Sequence, residues 1–187
     1  MKKLAGLLAA LLLLTGCGKT QAEPKEPALA FRQQLAKTGG CAFDAELTAD
    51  YGEHMYVFSL SCDYDTGGDA SFTVTAPAEI AGIAGTVTEQ GSRLDFEDLA
   101  LDFGQLANGH VVPLEVPWLL GQCWSGEYIQ SVGRDGDHTV ITYLRGYDDG
   151  EVTVETWLDS RGIPVHCDIS YDGRRCVTAE LTGFQYH

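Results

Sequence analysis

The chain has 187 residues, with 12 Lys and Arg against 27 Asp and Glu and a formal net charge of −15. A surface this acidic repels phosphate backbones, which argues against nucleic acid as a partner. The length suffices for a single domain that buries roughly two-thirds of the surface its unfolded chain would expose.

Met1-Lys2-Lys3 is cationic, the stretch from Leu4 to Leu14 is apolar, and Leu14-Thr15-Gly16-Cys17 is a small-residue site ending in cysteine. About eleven apolar residues are too few to cross a hydrocarbon core that needs about 20, so the pattern reads as an export signal over residues 1–16. Leu14–Cys17 resembles the lipobox of bacterial lipoproteins, a likeness confined to the export segment. That resemblance implies a thioether-linked diacylglycerol on Cys17 and a cell-membrane location, lipid-anchored on the extracytoplasmic face. Losing Lys2 and Lys3 moves the net charge from −15 to −17. Two long acyl chains, at about 0.8 kcal/mol per buried methylene, contribute more than about 20 kcal/mol, against about 1 kcal/mol for each charge near an anionic leaflet. The anchor therefore outweighs charge repulsion. With Cys17 lipidated, Cys41, Cys62, Cys123, Cys167 and Cys176 remain in a compartment that permits disulfides, and their odd number leaves at least one unpaired.

Residues 17–27 are polar and lack apolar periodicity, as expected of a flexible tether, and residues 28–187 form one domain. Ala28, Phe31 and Leu35 share a helical stripe while Arg32, Gln33 and Lys37 point elsewhere, and Gly39-Gly40 ends the helix. A β-rich region follows. Cys41, Phe43, Ala45, Leu47 and Ala49 alternate with Ala42, Asp44, Glu46 and Thr48, and Tyr56, Phe58, Leu60, Cys62 and Tyr64 alternate the same way on even numbers. A two-residue turn at Tyr51-Gly52 would set Leu47 opposite Tyr56, Ala45 opposite Phe58, Phe43 opposite Leu60 and Cys41 opposite Cys62. This register predicts a Cys41–Cys62 cross-strand disulfide.

Ala70, Phe72, Val74 and Ala76 continue the alternation up to Pro77, and shorter strands are expected over 85–89 and 92–97. Apolar parity flips near Glu97-Asp98, which calls for a bulge or corner. Residues 113–124 are the most apolar stretch after the signal, with Pro117 suited to the first turn of a short helix. Strands then follow over 127–133, 138–145, 151–158, 163–171 and 174–184, punctuated by Asp-Gly and Arg-Gly turns. In the last hairpin, burying Cys167 and Ile169 with Val177, Ala179 and Leu181 requires a three-residue loop of Tyr171, Asp172 and Gly173. That loop puts Cys176 on the face opposite Cys167.

Chemistry-bearing motifs are lacking. Asp63, Asp65 and Asp69 lack calcium-loop spacing, Asp135, Asp137 and His138 read as a hairpin tip, and the five histidines are scattered. Cys123 reads as a small buried hydrophobe, and Arg174-Arg175 as a solvated tip. No catalytic residue, metal site or cofactor is expected, and the chain reads as non-enzymatic.

One feature carries a binding expectation. Trp118, Leu119, Leu120 and Trp124 either plug the core of a curved sheet or line an apolar cavity with Phe43, Phe58, Leu60 and Phe72. Over Ala28 to Phe184, the order of one helix, a meander including Phe72–Pro77, a mid-chain helix at Pro117–Trp124 and closing strands resembles the periplasmic lipoprotein carrier superfamily. That superfamily comprises the LolA- and LolB-like carriers and relatives among anchored Gram-positive lipoproteins. The resemblance implies a half-open barrel wrapped around helices, with a cavity for lipid or acyl chains. The basic residue that the soluble carriers place on an early strand has no counterpart here. The expectation is therefore a mainly β (α+β) fold, a curved antiparallel sheet or half-open barrel. Its expected function is to hold an apolar lipid or acyl ligand at the cell envelope. A scaffold that docks an envelope enzyme or membrane protein is the alternative.

Overall fold

The computed structural model describes residues 25–95, 109–147 and 150–187. Helix α1 (Glu26–Thr38) precedes β1 (Gly40–Asp50), β2 (Met55–Asp65), β3 (Ala70–Ala76), β4 (Ala84–Thr88) and β5 (Gly91–Asp95). A 3-10 turn at Pro113–Glu115 leads into helix α2 (Val116–Ser125), and β6 (Tyr128–Asp135), β7 (His138–Arg145), β8 (Val152–Leu158), β9 (Pro164–Tyr171) and β10 (Arg174–Tyr186) complete the chain. Cys17 and the expected corner at Glu97-Asp98 lie outside the described residues.

The ten strands form one open antiparallel sheet in the order β5-β4-β3-β2-β1-β10-β9-β8-β7-β6. β1 and β10 meet at its centre, so the first and last strands close the meander on each other, and β5 and β6 are left as edges. Both helices pack on one face. Their apolar stripes and the alternating inner positions of the strands merge into a single core. α1 begins two residues earlier than the sequence stripe implies, with Pro27 in its first turn, and ends as expected at left-handed Gly39, whose N–H bonds Leu35 O.

The strand alternation holds, but two registers differ from expectation. β1 and β2 are joined by four residues, not two: Tyr51 N–H bonds His54 O, and Asp50 Oδ1 accepts from Gly52 N–H. The pairing therefore slips by two. Phe43 faces Cys62, Cys41 faces Tyr64 and Leu47 faces Phe58. Cys41 and Cys62 become diagonal neighbours, a relation with separations of about 7–8 Å and somewhat less between Cβ atoms, longer than the roughly 3.8 Å between Cβ atoms that a disulfide requires. Both thiols are free, so the expected bridge is corrected along with the register that produced it.

The β9–β10 hairpin does bring Val177 opposite Ile169 and Ala179 opposite Cys167, by a different device. Its turn has two residues, Asp172 and Gly173, both with positive φ, and the parity is corrected by a bulge at Cys176. The bulge buries Cys176 beside Val177, contrary to the expected outward orientation, and its Sγ–H donates to Ile169 O at 3.3 Å. A second irregularity lies at Gly183, whose φ of +62° suits glycine. Beyond it, the core-packed positions pass from odd residues (Val177, Ala179, Leu181) to even ones (Phe184, Tyr186).

Candidate functional site

The expected cavity residues come together, but as packed core. Phe43, Phe58, Leu60, Phe72, Leu119, Leu120 and Trp124 are all buried, and Trp118 is half-buried at the margin. Trp124 is the centre. Its ring meets Phe31 at 5.8 Å, Phe43 at 5.4 Å and Phe184 at 6.0 Å in edge-on contacts, and its Nε1–H donates to Thr156 Oγ1 at 3.1 Å. Each ring thus comes from a different element, and α2 is locked to α1, β1, β8 and β10 at once. Gly121 allows this depth, since a Cβ there would lie 2.2 Å from the Tyr64 ring.

A clasp that the sequence pattern does not reveal joins the two helices. Arg32, read as pointing away from the stripe, donates to Cys123 O, Trp124 O and Glu127 O at 3.0, 3.0 and 2.6 Å. These are carbonyls at and just beyond the C-terminus of α2, where acceptors lack intrahelical donors and a positive charge is favoured.

Trp118 and Leu119 do line a cavity, of about 180 Å3, together with His110, Glu115, Arg145 and Val152. Arg145 sits 4.6 Å from the centroid of the Trp118 ring and is held there by Glu127, while Trp118 Nε1–H bonds Gly68 O at 2.8 Å. This space falls below the roughly 300 Å3 at which small-molecule pockets begin.

The larger opening, about 490 Å3, lies between the N-terminal half of α1 and the strand ends opposite it. Half-buried Tyr186 is its main apolar wall, with the buried side chains of Phe31 and Leu158 at its floor, and Ala30 and Gln34 line its helical side. Arg134, Asp137, Asp159 and Arg161 stand around it. The β8–β9 turn that forms one wall is fixed by Asp159, whose carboxylate accepts from the N–H groups of Arg161 and Ile163 and from the Arg161 guanidinium. Phe31 was legible as part of a helical stripe. Tyr186 was not, because Gly183 hides its parity, and Leu158 had no signal separating it from the rest of the core.

Burial pushes the Cys41 thiol up to about 12, with the Asp63 charge adding to it, and burial likewise pushes Cys167 up to about 12, opposed by its contact with Thr156. Cys62, Cys123 and Cys176 are raised by burial too. These thiols are protonated hydrophobes at neutral pH, poor nucleophiles and poor metal ligands. Among the described residues, no three His, Cys, Asp or Glu side chains gather as a metal cluster, and no helix is long and apolar enough to cross a membrane.

No protein-family model and no curated protein sequence matches the chain. Solved structures similar to it include a LolA superfamily protein from Nitrosomonas europaea, with 9% identity, a TM-score of 0.47, and coverage of 86% of this chain and 93% of that one. A putative outer membrane lipoprotein-sorting protein domain from Vibrio parahaemolyticus has 8% identity and a TM-score of 0.47 over 87% and 91% of the two chains. The Mycobacterium tuberculosis lipoprotein LppX has 13% identity and a TM-score of 0.36 over 86% and 96%. Each is a distant likeness.

Proposed function

We propose that the chain is an extracytoplasmic lipoprotein, anchored through an acylated Cys17 and a short tether. In this reading it binds the apolar part of an amphiphile in the mouth beside α1 and carries out no chemistry of its own. The observation that carries this reading is the opening of about 490 Å3, whose apolar wall is Tyr186 with buried Phe31 and Leu158 at the floor and whose surroundings are charged. Its volume falls within the roughly 300–1,000 Å3 usual for ligand sites. An apolar wall with polar groups around it suits a molecule with a tail to bury and a head left wet. The two arginines and two aspartates balance, which favours a neutral or zwitterionic head over a strongly anionic one.

The ligand's place differs from the inner-face cavity expected from Trp118–Trp124, because that volume is already filled by protein. The same filling favours a second reading, in which the domain is a rigid scaffold for an envelope protein. Ala30→Trp separates the two. Residue 30 is exposed and lines the mouth, so a bulky ring there obstructs the opening without touching the core. A fluorescent acyl probe titrated against wild type should bind saturably, and Ala30→Trp should weaken binding at least about tenfold, a loss of about 1.4 kcal/mol. No saturable binding to wild type, or equal binding to both, would leave the scaffold.

A further inference from the structure

The β6–β7 turn beside the mouth carries two aspartates with different commitments. β6 ends at Asp135 and β7 begins at His138, so the turn proper is Gly136, with a φ of +56°, and Asp137. A glycine with positive φ at the first position suits a two-residue hairpin loop. The Asp135 carboxylate accepts from the Trp157 Nε1–H at 3.0 Å and does not line the mouth. Asp137, just past the glycine, does line it.

Four charged side chains line the mouth: Arg134, Asp137, Asp159 and Arg161. Three of them are engaged. Asp159 Oδ2 accepts from Arg161 Nε and Nη2 at 2.9 and 2.8 Å, while Asp159 Oδ1 accepts from the N–H groups of Arg161 and Ile163. Arg134 has an interaction of its own. Among the described residues Asp137 makes no hydrogen bond or ion pair, so the uncommitted charge at the mouth is negative. The α1 side adds none, since it contributes Pro27, Ala30, Phe31 and Gln34. The neutral groups there, which include the hydroxyls of Thr139, Ser160 and Tyr186, accept hydrogen bonds as readily as they donate them.

This arrangement discriminates between heads on one and the same tail. A carboxylate or phosphate head meets an unpaired carboxylate inside the field of a chain whose formal net charge is −15, and both repel it. An ammonium head brings donors to the one group that lacks them, and the field draws it in. A tail packed against Tyr186 already holds the head nearby, so the ion pair adds to binding without a second cost of association. Asp137 is exposed, and exposed pairs are weak, which limits the preference to several-fold.

We propose that the amphiphile taken by the mouth carries an ammonium group in its head, with Asp137 as the acceptor. The proposal deepens the ligand reading above and rests on it. The test uses the full chain and four dodecyl probes, with ammonium, phosphoethanolamine, hydroxyl or carboxylate heads, each competing below its micelle concentration with the fluorescent acyl probe. The ammonium and phosphoethanolamine probes should bind at least about fivefold tighter than the other two. The tighter of the pair identifies the source as a simple amine or a zwitterionic lipid. Asp137→Asn should abolish the preference and leave the hydroxyl probe unchanged, and Asp137→Lys should turn the preference toward the carboxylate. Asp172→Asn, which removes the same charge from the exposed β9–β10 turn at the far end of β9, should keep the preference intact. No saturable binding of the fluorescent probe removes the ligand reading itself. Saturable binding with equal affinity for all heads, or with the carboxylate tightest, overturns the ammonium alone. A preference that survives Asp137→Asn, or falls as much in Asp172→Asn, belongs to the net charge of the chain and overturns the role of Asp137.

Discussion

The space around Trp124 and the mouth beside Ala30 lie under the same helix, yet one is filled and the other open. Over β1 and β10, α1 contributes Phe31 and α2 contributes Trp124, and the rings of Phe43 and Phe184 close around them. Toward its N-terminus, α1 offers Pro27, Ala30 and Gln34 to the β6–β7 and β8–β9 turns, and α2 does not contribute. Small or polar residues facing a curved sheet leave a gap that no second helix fills. Apolar sheet surface is thus divided by helix coverage into a part that stabilises the fold and a part left for a ligand, with Phe31 bordering both.

Substitutions in the two regions should separate stability from binding. Trp124→Ala removes the ring that joins five elements and should cost about 3–5 kcal/mol, and Leu120→Ala, fully buried, about 2–5 kcal/mol, both read by urea unfolding. Ala30→Trp should leave the unfolding midpoint nearly unchanged while weakening probe binding. If Leu120→Ala proved nearly neutral and altered probe uptake instead, the filled region would be the binding site after all.

Arg32 is the next step down. Its guanidinium satisfies three carbonyls at the end of α2, so Arg32→Ala should destabilise by about 2–3 kcal/mol, since hydrogen bonds from charged donors are each worth about 1.5–3 kcal/mol and part is recovered by water. Arg32→Lys should recover only a fraction, because an ammonium cannot match the planar fork. Full rescue by lysine would mean that charge at the helix end, and not the three-way geometry, holds α1 in place and so shapes the mouth.

Local periodicity made much of this legible. Alternation located the strands within a residue or two, Pro117 marked the start of α2, and Gly39 the end of α1. What escaped was set by single backbone choices between elements. The four-residue turn at 51–54 moved the β1–β2 register by two, which preserves every inward side chain and is therefore invisible to a hydrophobic pattern. The bulges at Cys176 and Gly183 decided that Cys176 is buried and that half-buried Phe184 and Tyr186 pack against the core. The mouth depended on helix placement over a curved sheet, for which Ala30 and Gln34 gave no sign. The inner-face residues belong to one core cluster, with Trp118 at its margin, and whether such residues enclose space or fill it depends on three-dimensional packing and not on composition.

The smallest expected effect concerns the wall of the mouth. Burial alone would raise the Asp159 carboxyl, but the Ile163 N–H, the Arg161 guanidinium and the Arg161 N–H together outweigh it and hold the group below its ordinary value. A carboxyl lowered in the folded state contributes stability that is present above its unfolded value near 3.9 and is lost as pH falls through the folded value. Between neutrality and about pH 4 the β8–β9 turn should therefore be constant, and below that range it should loosen. Amide exchange at Arg161 and Ile163, compared at each pH with Asp159→Asn, isolates this contribution from the intrinsic pH dependence of exchange. Wild type should lose its excess protection only in acid, and the variant should lack that excess throughout. A probe with no titrating group should show the same acid-dependent loss of binding if the turn is a true wall of the site. Loosening of the turn with unchanged binding would instead confine the ligand to the α1 side, against Phe31 and Tyr186.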